Sequence, residues 1–420
     1  VKNLRQLMPP ARLRRLDNGL TVCAVEDRRA PLAAVAVVYR AGARDETPQE
    51  AGAAHFLEHM MFKGSRRFGP GEVDRLTRLL GGSNNAYTSH DCTLYYFTFA
   101  ADRWRRALEI EADRMAALTL DPAEVRSERQ VILEELAMYE SEPWDALEMR
   151  VAADYFGGHP YGRPVLGTRA SLSAIDGAVL ADFHRRFYRP ANAVVAVAGD
   201  VGQEVSAEVE EAFGHLDGPP PSRIAICPPR RPRKLERIER RHGEMARLLL
   251  TLPAPGAADP DHPLLLLLLA VLGSGRASRL HRGLVEEGQL AVWVTTELVE
   301  TVEPGAASIA LEVVPGVDPA RVEAELLAAL GRLKTSRPTG GEIERAKKIL
   351  LADWIFGHEK GHQMAFLLGS ALALFDADHP WRYLDRLLAA AARDLPPIVE
   401  RYLDPSAGGV LGWSLPKEPG

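Results

Sequence analysis

Residues 51–61 read Ala51-Gly52-Ala53-Ala54-His55-Phe56-Leu57-Glu58-His59-Met60-Met61. The segment reads as an apolar helix, Ala51–Met61. At 3.6 residues per turn, His55 and His59 stand one above the other, with Cβ atoms about 5–6 Å apart. Two imidazoles so placed can close on one Zn2+ at about 2.0–2.1 Å per bond. Glu58 borders the same face and can hold a water without being a ligand. A third protein ligand must come from elsewhere, leaving a fourth position for water and substrate. A His-x-x-acid-His string arises by chance in roughly one chain in twenty of this composition, so the motif needs support from its surroundings. The first support is local: two imidazoles and a carboxylate share one face of a helix made mostly of Ala, Phe, Leu and Met. That grouping is costly unless the polar groups are paired or metal-bound.

Working outward, Asp17-Asn18-Gly19 is a hairpin turn followed by β-like runs at Leu20–Val25 and Ala33–Tyr39. The loop 40–50 leads into the apolar helix. A second series has the same order: a β-like run at Leu248–Leu252, a Pro/Gly loop at 253–261, and an apolar helix at Leu264–Leu272. Each series later carries a helix of mixed acidic, basic and aliphatic residues, Pro122–Glu140 and Glu342–Phe356. Further strands are expected at Leu94–Phe99, Ala193–Ala198, Leu290–Glu297 and Ala307–Val314. The expected class is α+β: two similar domains, each a mostly antiparallel sheet packed with helices, related by internal duplication. The break falls in a stretch holding Pro219, Pro220, Pro221, Pro228, Pro229 and Pro232. Expected boundaries are 1–217 for a metal-binding catalytic domain, 218–241 for a linker running into the second domain, and 242–420 for a metal-free domain.

Composition bounds the function classes. At 420 residues the chain suits two domains, and 46% hydrophobic with 26% charged residues is ordinary for a globular protein. With 51 Lys+Arg against 57 Asp+Glu, the net charge of −6 argues against a protein built to coat nucleic acid or anionic membrane. The basic cluster Arg223, Arg230, Arg231, Arg233, Lys234, Arg237, Arg240 and Arg241 is interleaved with Glu236 and Glu239 and has no aromatic residue for base stacking. It reads as a solvated linker entering a strand. Three cysteines do not make a disulfide framework. The longest apolar run, Leu264–Leu272, is far short of the roughly 20 residues a bilayer span needs. Lys2, Arg5, Arg12, Arg14 and Arg15 have no apolar stretch behind them, so no secretory signal is visible. The chain begins with Val1, which leaves a removed leader open. The expectation is a soluble protein, cytoplasmic in preference to periplasmic, and the Ala-, Leu- and Arg-rich composition suggests a bacterial source.

The third ligand is sought on the helix containing Glu128-Arg129-Gln130-Val131-Ile132-Leu133-Glu134-Glu135. Glu128 and Glu135 are seven apart, two turns along one stripe, whereas Glu134 points elsewhere. Glu135 suits a ligand, and Glu128 suits a carboxylate that orients a histidine or the water. Acidic residues on helices are mostly solvated, so spacing alone leaves Glu135 open.

These strings together resemble the inverzincins, specifically the pitrilysin/insulinase family that includes the mitochondrial processing peptidases. That family has an HxxEH motif and a ligating glutamate about 76 residues after the second histidine, which is the separation of His59 and Glu135 here. Also matching are Phe62-Lys63-Gly64-Ser65, Gly81-Gly82-Ser83-Asn84-Asn85-Ala86-Tyr87-Thr88, Pro160-Tyr161-Gly162, Tyr188-Arg189-Pro190-Ala191-Asn192 and Val197-Ala198-Gly199-Asp200. The resemblance implies one zinc per chain on His55, His59 and Glu135, with Glu58 as general base and Glu128 as its supporting carboxylate. It implies that Ser83–Thr88 is an edge strand receiving an extended peptide, with Asn85 and Ala86 contacting the substrate backbone. The implied activity is a zinc metalloendopeptidase.

One departure stands out. Many members carry an Arg and a Tyr, seven residues apart, that bind substrate and the oxyanion. Aligned through Ser278-Arg279-Leu280 and Leu290-Ala291, those positions are Val285 and Val292. The expected explanation is a heterodimer in which a related non-catalytic subunit supplies the Arg/Tyr pair. The alternatives are a homodimeric peptidase, a slow enzyme with other donors, or a non-catalytic scaffold subunit of the same fold.

Overall fold

The computed structural model describes residues 9–223, 226–229 and 232–417; Lys2, Arg5, Arg230 and Arg231 lie outside them. The chain divides into two compact units, each built on one sheet.

The first unit comprises residues 1–136, 164–225 and 356–381. Its strands are β1 (Ala11–Arg15), β2 (Thr21–Glu26), β3 (Leu32–Tyr39), β4 (Ser83–Thr88), β5 (Thr93–Ala100) and β6 (Ala193–Gly199), in sheet order β1-β2-β6-β3-β5-β4. Only β2 and β6 run parallel; the other neighbours are antiparallel. The Asp17-Asn18-Gly19 turn joins β1 to β2, as its sequence predicts. All seven residues of β6 are buried, because both faces of this sheet are covered. Side-chain size explains how. Val22, Val35, Val37, Val195 and Val197 point into the main core. Small Cys23, Ala36, Ala196 and Ala198 face the other way, where helix Gly361–Leu374 lays down Met364, Ala365 and Leu368. A Cβ on Gly369 of that helix would come within 2.9 Å of Val38, so the approach depends on glycine.

The second unit comprises residues 137–163, 226–355 and 382–420. Its strands β7 (Leu235–Arg241), β8 (Arg247–Pro253), β9 (Ala291–Leu298), β10 (Ala306–Val313) and β11 (Gly409–Leu415) take the order β7-β11-β8-β10-β9. With β7 parallel to β11 and the rest antiparallel, this is the permutation of β2 to β6 repeated. The internal duplication is therefore present in the topology. Helix His262–Gly273, apolar nearly all round, and helix Pro319–Thr335 fill one face. The other face carries Leu147, Val151 and Tyr155 against Leu249, Ala310 and Val410.

The two units are not consecutive stretches of sequence, as a single cut within 218–241 would make them. Helix Pro143–Phe156 belongs to the second unit and helix Gly361–Leu374 to the first. The physical reason lies in the sheets: each has a second apolar face that needs a helix, and each takes it from the other half of the sequence. Gly412 marks this in the second unit, where an added Cβ would sit 2.4 Å from Val151.

Candidate metal centre

The HxxEH segment forms helix α1 (Ala53–Met60), two turns whose buried residues include His55, Phe56, Leu57 and Met60. So short a helix is held by its ends. Gly52 takes φ +95 at the N-cap, a conformation that favours glycine, and a Cβ there would approach the Leu166 carbonyl to 2.6 Å. The buried Glu46 carboxylate accepts from Gly52 N (2.9 Å) and Ala54 N (2.8 Å), satisfying first-turn amides and complementing the helix dipole. At the other end, Arg114 Nη1 donates to the Met61 carbonyl at 3.4 Å. Arg114 is itself buried on a bidentate pair with Glu111.

With α1 fixed, the imidazoles of His55 and His59 lie with centroids 4.7 Å apart. Helix α2 (Glu72–Leu79) and helix α3 (Arg105–Ala116) precede the long helix α4 (Pro122–Ser141). Two turns of α4 bring both predicted glutamates to the site. Glu135 Oε2 stands 3.8 Å from His55 Nε2 and 3.7 Å from His59 Nε2. One ligand atom from each of His55, His59 and Glu135 lies within 4.8 Å of the others. These gaps are too long for hydrogen bonds. The two histidine–glutamate distances are within about 0.5 Å of the roughly 3.3 Å expected between two ligands on one tetrahedral zinc with bonds near 2.05 Å. Burial, with the neighbouring His59, pushes His55 down to about 3, so it stays neutral with a lone pair available. The donor set thus fits a zinc ion: two imidazole nitrogens and one carboxylate, converging without bonding one another.

Glu128 is buried 2.9 Å from His59 Nδ1. An ionised carboxylate can only accept, so Nδ1 carries the proton that faces Glu128 and Nε2 is the nitrogen turned toward Glu135. Burial pushes Glu128 up, but the Lys63 ammonium and His59 outweigh it and hold the carboxyl below its ordinary value. Glu58 is not in the ligand cluster. Its Oε2 accepts a hydrogen bond from the Thr88 hydroxyl at the end of β4. Burial pushes the Glu58 carboxyl upward and the Glu135 charge adds to this, while Thr88 and His59 pull it partly back. A cavity of about 310 Å3 lined by Glu58, His59, Phe62, Lys63 and Glu128 opens beside them.

The remaining predicted site residues are on β4, an edge strand of its sheet. Asn85 and Ala86 pair with Tyr96 and Tyr95 of β5 on one side only, and the Asn85 side chain accepts from Ala86 N at 2.9 Å. Three contributors escaped the sequence reading: Glu46, Thr88 and Lys63. Glu46 carried a usable signal, an acid shortly before a helix start. The other two stand inside Phe62–Ser65 and Gly81–Thr88, strings quoted for their resemblance to the family and given no role for these two side chains. His362, four residues from His358, stacks on Tyr96 (5.8 Å, 13°) as a packed residue. Cys92 is buried, its thiol pushed up to about 11 by burial.

The pairing of two duplicated α+β units with an HxxEH helix and a distant glutamate defines an inverzincin-type metallopeptidase fold. Comparisons with known proteins agree. Residues 21–169 match Insulinase (Peptidase family M16), and residues 174–350 match the peptidase M16 inactive domain. An uncharacterized zinc protease of Mycobacterium leprae is 34% identical over 84% of this chain and 80% of its own length. The zinc protease PqqE of Helicobacter pylori is 27% identical over 92% of this chain and 89% of its own. A crystal structure of a protease from Helicobacter pylori superposes with a TM-score of 0.89 at 26% identity, covering 97% of this chain and all of that one. The chain belongs to the insulinase (M16) peptidase family. Among the described residues no helix is long and apolar enough to cross a membrane.

Proposed function

We propose that this chain is a zinc-dependent endopeptidase whose metal is held by His55, His59 and Glu135 and whose general base is Glu58. One observation carries the reading: His55, His59 and Glu135 converge without hydrogen-bonding one another, while Glu58 stands on the same helix outside that cluster. When bound, zinc would polarise the scissile carbonyl and make a water acidic near neutral pH. The chain's own residues do the rest. An extended peptide adds to the open edge of β4, with Asn85 and Ala86 aligning its backbone. Thr88 fixes one oxygen of Glu58, leaving the other free to take the proton of the attacking water and pass it to the leaving amine. Glu128 holds His59 in the tautomer that presents Nε2. No covalent enzyme intermediate is needed.

The active species in this reading is a heterodimer. Val292 is exposed and Val285 is half-buried, and neither can donate a hydrogen bond from its side chain where many family members use Tyr and Arg. A related subunit without the metal motif would supply that pair. The test uses the purified chain with zinc, alone and mixed with candidate partners co-purified from the native cell, on an unstructured fluorogenic peptide. Stoichiometric zinc, turnover only in a mixture, and loss of turnover in Glu58→Gln with zinc retained are the expected results. Purification without stoichiometric zinc favours a scaffold subunit and overturns the reading. Full turnover by the chain alone removes the heterodimer.

A further inference from the structure

The Glu128 carboxylate has two partners, and only one of them belongs to the ligand set. Oε1 faces His59 Nδ1 at 2.9 Å, and Oε2 lies 2.5 Å from Lys63 Nζ. The carboxylate side chain is 6% exposed, while Lys63 is 31% exposed and reaches in from the cavity rim. A buried carboxylate with a single donor can rotate about its last bond and still keep that donor. With a hydrogen bond on one oxygen and an ion pair on the other, separated by the width of the group, it has one orientation. Lys63 is well placed to provide the second point. It follows α1, four residues past His59, and its amide donates to the Met60 carbonyl at 2.9 Å, so the turn that carries it continues the ligand helix. Its cation lies near the C-terminal end of that helix, where the dipole favours positive charge.

We infer that Lys63 is a positioning residue of the metal centre, acting through Glu128 to hold the His59 imidazole in its ligating orientation. This rests on the proposed zinc site, and it goes beyond it by adding a residue outside the ligand set. Lys63 and the ligand histidine are carried by the same segment. The clamp therefore joins α4 to α1 at His59 and to the turn after α1 at Lys63, and removing either point loosens the imidazole.

The experiment measures zinc affinity by competition with a fluorescent chelator at constant pH, using the full chain, so it does not depend on a partner or on turnover. Loss of a residue that orients a metal-ligating histidine typically costs about 10–100-fold in affinity, and that loss is expected for Lys63→Met and for Lys63→Gln. Lys63→Arg, which keeps a charged donor, is expected to restore binding to within about threefold of the parent. In a Glu128→Gln background, itself weakened, adding Lys63→Met should cost less than about twofold, because the path is already broken. The visible spectrum of the cobalt(II)-loaded protein should shift in Lys63→Met and return in Lys63→Arg, which a general loss of stability would not produce. Three results overturn the inference: Lys63→Met binding within about twofold of the parent, no loss in Glu128→Gln, or the same loss from Lys63→Met in both backgrounds. A parent chain that takes up no zinc instead overturns the metal site itself, and the two failures are thereby distinguished.

Discussion

Replacing Arg114 by methionine tests how the ligand helix is supported. Arg114 and Glu111 are 1% and 0% exposed, with Nε to Oε2 at 3.0 Å and Nη2 to Oε1 at 2.5 Å. The guanidinium also lies 4.6 Å from the Tyr95 ring centroid and 5.1 Å from that of Phe62. Methionine fills the volume and keeps contacts with the rings, so the dominant change is the stranded Glu111 carboxylate. That group will protonate rather than stay charged in an apolar site. Neutralising at pH 7 a carboxyl with an ordinary value of 4.5 costs about 1.4 kcal/mol per pH unit, or roughly 3.4 kcal/mol in all. The sign follows: in the variant the folded state binds the proton that the unfolded state has released, so the cost is largest at neutral pH. It should shrink as pH falls toward 4.5. At about 2–4 °C per kcal/mol for a domain of this size, the melting temperature of the first unit should drop by roughly 7–14 °C at pH 7. The assay is scanning calorimetry of parent and variant from pH 7 to 4.5, reading the difference so that other titrating groups cancel. Arg114→Met/Glu111→Leu, which removes both charges, should recover most of the loss. A pH-independent deficit, or a double variant no more stable than the single one, refutes the reasoning.

Other expectations follow from the same geometry. His184 is half-buried with Nε2 donating to the Arg114 carbonyl at 3.0 Å, and desolvation of the ring pushes it down to about 4 from an ordinary 6.5. The unfolded chain therefore binds a proton first as pH falls, and stability should decline between pH 6.5 and 4 by up to about 3 kcal/mol. His184→Gln should flatten that decline in urea titrations, and an unchanged slope counts against it. Gly82→Ala places a Cβ 2.3 Å from the Phe99 ring and 2.8 Å from the Thr98 carbonyl just before β4. It should cost about 1–3 kcal/mol and speed hydrogen exchange in Ser83–Thr88, read by mass spectrometry. Stripping the metal with a chelator should abolish peptidase activity yet leave the far-UV dichroism unchanged, because both cores are closed by apolar packing that does not involve the ligand cluster. Unfolding on chelation would contradict that.

Much of the fold was legible because its elements are strongly patterned. The strands at 33–39, 193–198, 248–252 and 307–313 and the helices at 53–60 and 262–273 are apolar runs that have few other conformations open to them once buried. The HxxEH spacing fixed which two imidazoles share a helix face, since that depends only on 3.6 residues per turn. What lies between Leu136 and Arg163 was harder to assign. The amphipathic helix Pro143–Phe156 has nothing in its own sequence to say which sheet it will cover.

The sequence alone determined the local geometry of His55, Glu58 and His59, the strand inventory and the repeated order of elements, because these follow from short-range periodicity. Only the tertiary structure decided that Glu135 meets His59, 76 residues away, and His55, 80 away, that Lys63 pairs with Glu128, and that Thr88 holds Glu58. It also decided that each unit borrows a helix from the other half of the chain. Those contacts depend on how separate elements pack. Packing is set by the summed shape of many side chains, such as the small Ala36 and Ala198 that admit helix Gly361–Leu374, rather than by any spacing along the chain.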